Sequence, residues 1–142
     1  MEEKKVNSFL DKLKTFSKNH DLTLFMTLMT GIKVLLSKYA GQDDIIIGTP
    51  IAGREHPDLE NQIGFYVNTL ALRTQFSKKD SFNTILSHVK KVVLGAHEHQ
   101  LYPFDDLVSS LDIPRDMSRN PLFDVQVIVQ NQQVSTCVRC TS

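Results

Sequence analysis

Apolar residues return at helical spacing over residues 4–19. Val6, Phe9, Leu10, Leu13 and Phe16 share one face, with lysines and Asp11 on the other. This predicts an amphipathic helix, stopped by Asn19-His20-Asp21. A second helix is expected from near Thr23 to Tyr39 or Ala40. It is apolar nearly all round, so it should be sandwiched in a core, with Gly41 as its stop. "DDIIIGTP" then reads as a short strand buried on both faces. Residues 51–62 are polar with Gly and Pro and read as a loop. Alternation from Val67 to Thr74 predicts a strand over 66–75.

Ser81 is a plausible N-cap for a third helix running to about His99. A short helix is expected from Pro103 to about Leu111, with proline in its first turn. "LFDVQVIVQN", residues 122–131, has the β-branched content and alternation of a strand. Helix, strand, strand, helix, strand is an α/β order, with a mixed sheet packed by helices.

Composition narrows the classes. One domain is the prior for 142 residues, and 41% hydrophobic with 23% charged residues is a globular balance. Sixteen basic and sixteen acidic residues give zero formal net charge, which argues against nucleic acid or an anionic membrane as partner. The amino end has no apolar signal core, and the stretch Leu22 to Leu36 is short for a span and interrupted by Lys33. A cytoplasmic setting is the expectation.

Few stretches carry chemistry by themselves. "GTPIAG" lacks the lysine of a phosphate-binding loop. Cys137 and Cys140 form a lone CxxC; a closed zinc site needs four ligands, so they read as solvated thiols. His97 and His99 do not share a helical face, and read as imidazoles favoured by a helix C-terminus. No metal site is expected. Arg115 and Arg119 flank Asp116. Either a local ion pair closes that turn, or Arg119-Asn120-Pro121 holds a loop edge through backbone carbonyls. Asn68 sits inside an apolar run. Its amide needs partners, either neighbouring backbone or the contents of a cavity.

Three stretches occur together in order: "IGFYVNTLALRT", "HEHQLYPFDDLV" and "RDMSRNPLFDV". They resemble the late core motifs of condensation domains from nonribosomal peptide synthetases, and the likeness runs from about Thr23 to Asn131. The resemblance implies one lobe, the C-terminal one, of a chloramphenicol acetyltransferase-like fold. A complete domain of this kind has two lobes in a V around a tunnel. It joins an acyl or peptidyl thioester to an aminoacyl amine, each carried on the phosphopantetheine arm of a carrier protein. The expected division is an N-terminal helix and linker over 1–22, the lobe over 23–131 and an irregular tail over 132–142.

By resemblance, Asn68 and Thr69 line the tunnel and Arg73 orders a neighbouring loop. Gly64, His99, Gln100, Pro103, Phe104, Asp105, Arg115, Asp116, Ser118, Arg119, Asn120 and Pro121 are motif residues with structural parts. The family's main catalytic element is His-His-x-x-x-Asp-Gly, in the first lobe. No His-His pair occurs in residues 1–142. No catalytic residue is therefore assigned, no cofactor is expected to bind directly, and the chain alone should be inactive. Its partners would be peptidyl carrier proteins and the absent lobe. It would be a split gene product, a decayed remnant or a cloned fragment, with a strand edge exposed near 122–130 and a tendency to self-associate. Two other readings remain: a non-catalytic module that binds a carrier protein or partner lobe, and an epimerisation or cyclisation relative.

Overall fold

The computed structural model describes residues 2–52, 67–114 and 116–129. Helix α1 spans Glu2–Asn19 and α2 spans Leu24–Ala40. Thr23 caps α2 by accepting from the Met26 amide at 3.2 Å, which satisfies an end group that the helix cannot. Gly41 closes α2 at φ 64°, a left-handed conformation that glycine adopts without strain.

Strand β1 (Asp44–Ala52) pairs antiparallel with β2 (Val67–Gln75), in register from Asp44 opposite Gln75 to Ala52 opposite Val67. The first strand is longer than the sequence pattern indicates, since Ile51 and Ala52 belong to it rather than to the loop. Helix α3 (Phe82–Glu98) begins at Ser81, whose hydroxyl accepts from the Thr84 amide at 3.2 Å. Helix α4 is Phe104–Ser110, and β3 is Val125–Gln126. The sheet order is β2-β1-β3, with β3 parallel to β1 at Ile47 and Gly48.

Strand pleating sorts the side chains onto two faces. Ile45, Ile47, Leu70 and Leu72 point one way and pack with Met26 and Met29 of α2 and Ile85, Val89 and Val93 of α3. Gly48 and Ala71 belong to the other face, where Phe123 lies.

Among the described residues the expected third strand over 122–131 is shortened to two paired residues, and 130 and 131 lie outside them. One further bond follows, from the Val127 amide to the Gly48 carbonyl at 2.9 Å. Pro50, two residues beyond Gly48, presents its backbone to the same edge and has no N–H to give. The ladder stops there, although the alternation of valines continues. Among the described residues β3 is one edge of the sheet and β2 the other.

The amphipathic face of α1 is only partly buried. Ser17 and Thr27 share a buried hydroxyl hydrogen bond of 2.7 Å that joins α1 to α2. Leu10, Leu13 and Phe16 are half-buried, but Val6 and Phe9 each stay 63% exposed. The second helix is likewise not sandwiched all round, because Leu35 and Tyr39 face outward. No single helix among the described residues is long and apolar enough to cross a membrane.

Candidate functional site

Asn68 lies near the start of β2, on the same face as Leu70 and Leu72. Its amide nitrogen donates to the carbonyls of Gln100 and Tyr102, both at 2.8 Å. Its oxygen accepts from the amide of Phe104 at 3.1 Å. Both N–H groups and an oxygen lone pair are therefore used on five residues of backbone. Of the two fates open to this amide, the structure displays bonding to backbone, reached across more than thirty positions of sequence. Thr69 projects from the opposite face, as alternation requires.

The bonded segment leaves the end of α3. Gln100 is half-buried there, and the His97 ring approaches its side-chain oxygen at 3.4 Å. The His99 ring turns back onto its own helix, 2.9 Å from the Gly95 carbonyl, as suits an imidazole beside the negative end of a helix. Pro103 is the N-cap of α4, and Asp105 with Asp106 occupies the first turn, where the dipole favours acids.

Phe104 then meets Phe123, with ring centroids 5.7 Å apart and planes at 54°. Phe123 is buried against Gly48 so closely that a methyl group at Gly48 would overlap the ring. Glycine is required here for space, not for backbone conformation. Two of the three late motifs, together with "GTP", meet at this contact, and the third reaches it through Asn68.

Arg73 is elsewhere. It pairs with Asp44 across the strands, and Gln75 also donates to that carboxylate. The Arg73 guanidinium holds the Asp44 carboxyl below its ordinary range. Arg73 lies five positions along the strand from Asn68, about 17 Å. Arg119 forms a two-pronged pair with Asp124, whose carboxyl it keeps low. The turn is thus closed by a local ion pair, though with Asp124 rather than Asp116. Asp116 accepts instead from the Ser118 amide and hydroxyl, which hold its own carboxyl low. The Asn120 side chain accepts from the Leu122 amide at 3.1 Å, and Pro121 is half-buried beside it. Gly64, Arg115, Cys137 and Cys140 lie outside the described residues.

One buried group has no counterpart among the residues singled out above. Lys33 of α2 is fully buried, and its ammonium donates to the Leu72 carbonyl (2.6 Å), the Thr74 hydroxyl (2.8 Å) and the Ile45 carbonyl (3.3 Å). Burial lowers its pKa to about 8, against the pull of Asp44. The only signal in the sequence is a lysine in an otherwise apolar run.

The cluster around Asn68 consists of amide, backbone and aromatic groups, which position neighbours rather than move protons. Among the described residues no three His, Cys, Asp or Glu side chains gather as metal ligands.

A condensation domain family model matches residues 4–139. The chain is 52% identical over 124 residues to tyrocidine synthase 3 of Brevibacillus parabrevis, covering 87% of this chain and 2% of the synthase. It is 50% identical over 122 residues to gramicidin S synthase 2 of Brevibacillus brevis, covering 86% and 3%. Among solved structures, a four-domain nonribosomal peptide synthetase bound to AMP and glycine superimposes with a TM-score of 0.84 at 28% identity, over 88% of this chain and 10% of that one. The condensation domain of the monacolin K polyketide synthase gives 0.74 at 25% identity, over 82% and 28%. The chain thus spans a few per cent of the curated synthases it matches and about a quarter of the solved condensation domain chain. These likenesses assign the architecture to the chloramphenicol acetyltransferase-like fold. The chain belongs to the condensation-domain family of nonribosomal peptide synthetases, and covers part of such a domain.

Proposed function

We propose that this chain is the C-terminal lobe of a condensation domain and forms one wall of its substrate tunnel. In the complete domain an aminoacyl amine attacks the carbonyl of an acyl or peptidyl thioester. A C–N bond forms, the C–S bond breaks, and the sulfur leaves as the thiol of the carrier's phosphopantetheine arm. That step needs an oriented amine, a group to take its proton and donors for the oxyanion. The carrying observation is the junction of Asn68, the 100–104 segment and Phe123, which gathers the family's late motifs into one place. In this reading the start of β2 at Asn68 and Thr69 borders the tunnel, and the motif residues from His99 to Asp105 and from Asp116 to Pro121 support it. Carrier proteins and the other lobe are the partners, in the cytoplasm.

The chain contains no His-His pair to act on the amine. It is expected to form no amide alone. Purified chain is mixed with two carrier proteins, one loaded with an acyl thioester and one with an aminoacyl thioester, and product is followed by mass spectrometry. Product no greater than the protein-free blank is expected, with turnover appearing when a first lobe carrying His-His-x-x-x-Asp-Gly is added. Turnover by the chain alone would refute this reading.

A second reading, a non-catalytic docking module, is favoured by one likeness. The X-domain from teicoplanin biosynthesis superimposes with a TM-score of 0.75 at 26% identity, and a complex of that X-domain with OxyB is also similar. Binding of a loaded carrier with no first lobe present, measured by calorimetry, favours docking; no binding until the first lobe is added favours the catalytic lobe. Self-association through exposed apolar surface belongs to either reading.

A further inference from the structure

We infer that Asn68 and Gly48 act as the two halves of one clasp, which couples the two faces of the sheet through the 99–104 segment. Helix α3 packs on the face that carries Leu70, Leu72 and Asn68. Phe104 contacts Phe123, which rests on Gly48 of the opposite face. Between Glu98 and Phe104 the chain therefore passes beside the start of β2 at Asn68, from the helix layer towards the far side.

Its passage is held at both ends. On the near side Asn68 takes the Gln100 and Tyr102 carbonyls and the Phe104 amide. On the far side the Phe104 ring leans on Phe123, which reaches the sheet only because Gly48 has no side chain. Asn68 and Gly48 lie on different strands and opposite faces, and Gly48 pairs with Ala71. Nothing links them directly. The coupling runs through the crossing segment and the two rings.

Asn68 is thereby a positioning residue, because its bonds are made to the segment that launches α4. A displacement of Phe123 on one face is transmitted to Asn68 on the other, and the reverse also holds. The clasp rests on contacts within this chain and stands or falls separately from the tunnel reading.

The test uses the full chain with Asn68→Ala, Gly48→Ala and both together. Asn68→Ala is expected to move the amide NMR signals of Leu107, Val108 and Phe123, while those of Val89 and Val93 in α3 stay in place. Each single variant lowers the folding equilibrium constant. Once the crossing is released, Phe123 is free to shift and admit the methyl at position 48. The double variant should then fall short of the product of the two single losses by about fivefold or more. Losses that multiply, or signal changes confined to residues 100–104, would overturn the clasp. If Gly48→Ala leaves the chain unfolded, Phe123→Leu loosens the same half without adding atoms and carries the same expectation.

Discussion

Lys33 shows how much a single residue can depend on its surroundings. Its three acceptors come from both β1 and β2, so the ammonium is bonded yet removed from water. A lysine whose folded pKa is about 8 binds fewer protons than the unfolded chain at pH 8 to about 10.5. Stability therefore rises with pH through that window, by at most about 1.4 kcal/mol per pH unit. Urea midpoints are expected to increase from pH 7.5 to 9.5 in the native chain and to stay level in Lys33→Met. The same slope in both proteins would show that Lys33 is not its source. Asn68 is the complementary case. The sequence posed its need for partners, but Gln100, Tyr102 and Phe104 meet it only after the chain has passed through α3.

At the scale of elements, helices were legible because their signals are local. The Ser81 cap, the Gly41 stop and the spacing of Ile85, Val89 and Val93 all lie within a few residues of what they control. Ser81→Ala should cost about 1 kcal/mol by removing the acceptor for the Thr84 amide. Denaturant titration measures that loss, and an unchanged midpoint would show that the cap contributes nothing. β3 is present but shorter among the described residues than its pattern predicts, for the opposite reason. Its valines have the composition of a strand, but pairing is a property of two chains, and Pro50 ends the donor row of the partner. For Arg119 the sequence leaves open a local ion pair or backbone carbonyls at a loop edge, and only the turn geometry brings in Asp124 as the partner.

For the whole molecule, exposure is the informative quantity. Phe9 and Leu35 face the same apolar groove between α1, α2 and the start of α3, lined also by Phe16, Ile32 and Phe82. Together with zero net charge, this surface gives copies of the chain little reason to stay apart. Light scattering is expected to give a mass that grows with concentration. Phe9→Lys with Leu35→Lys should restore a constant monomer mass. A constant monomer mass in the unsubstituted chain would remove the expectation.

The sequence by itself determined the helices, their caps, the two long strands and the family, because periodicity, capping and ordered motifs are written within short windows. Only the tertiary structure decided the partners of Asn68, the burial of Lys33, the need for glycine at position 48 and the short reach of β3. Each of those depends on contacts between residues distant in the chain, and a hydrogen bond or a ring contact exists only once packing has brought both sides together.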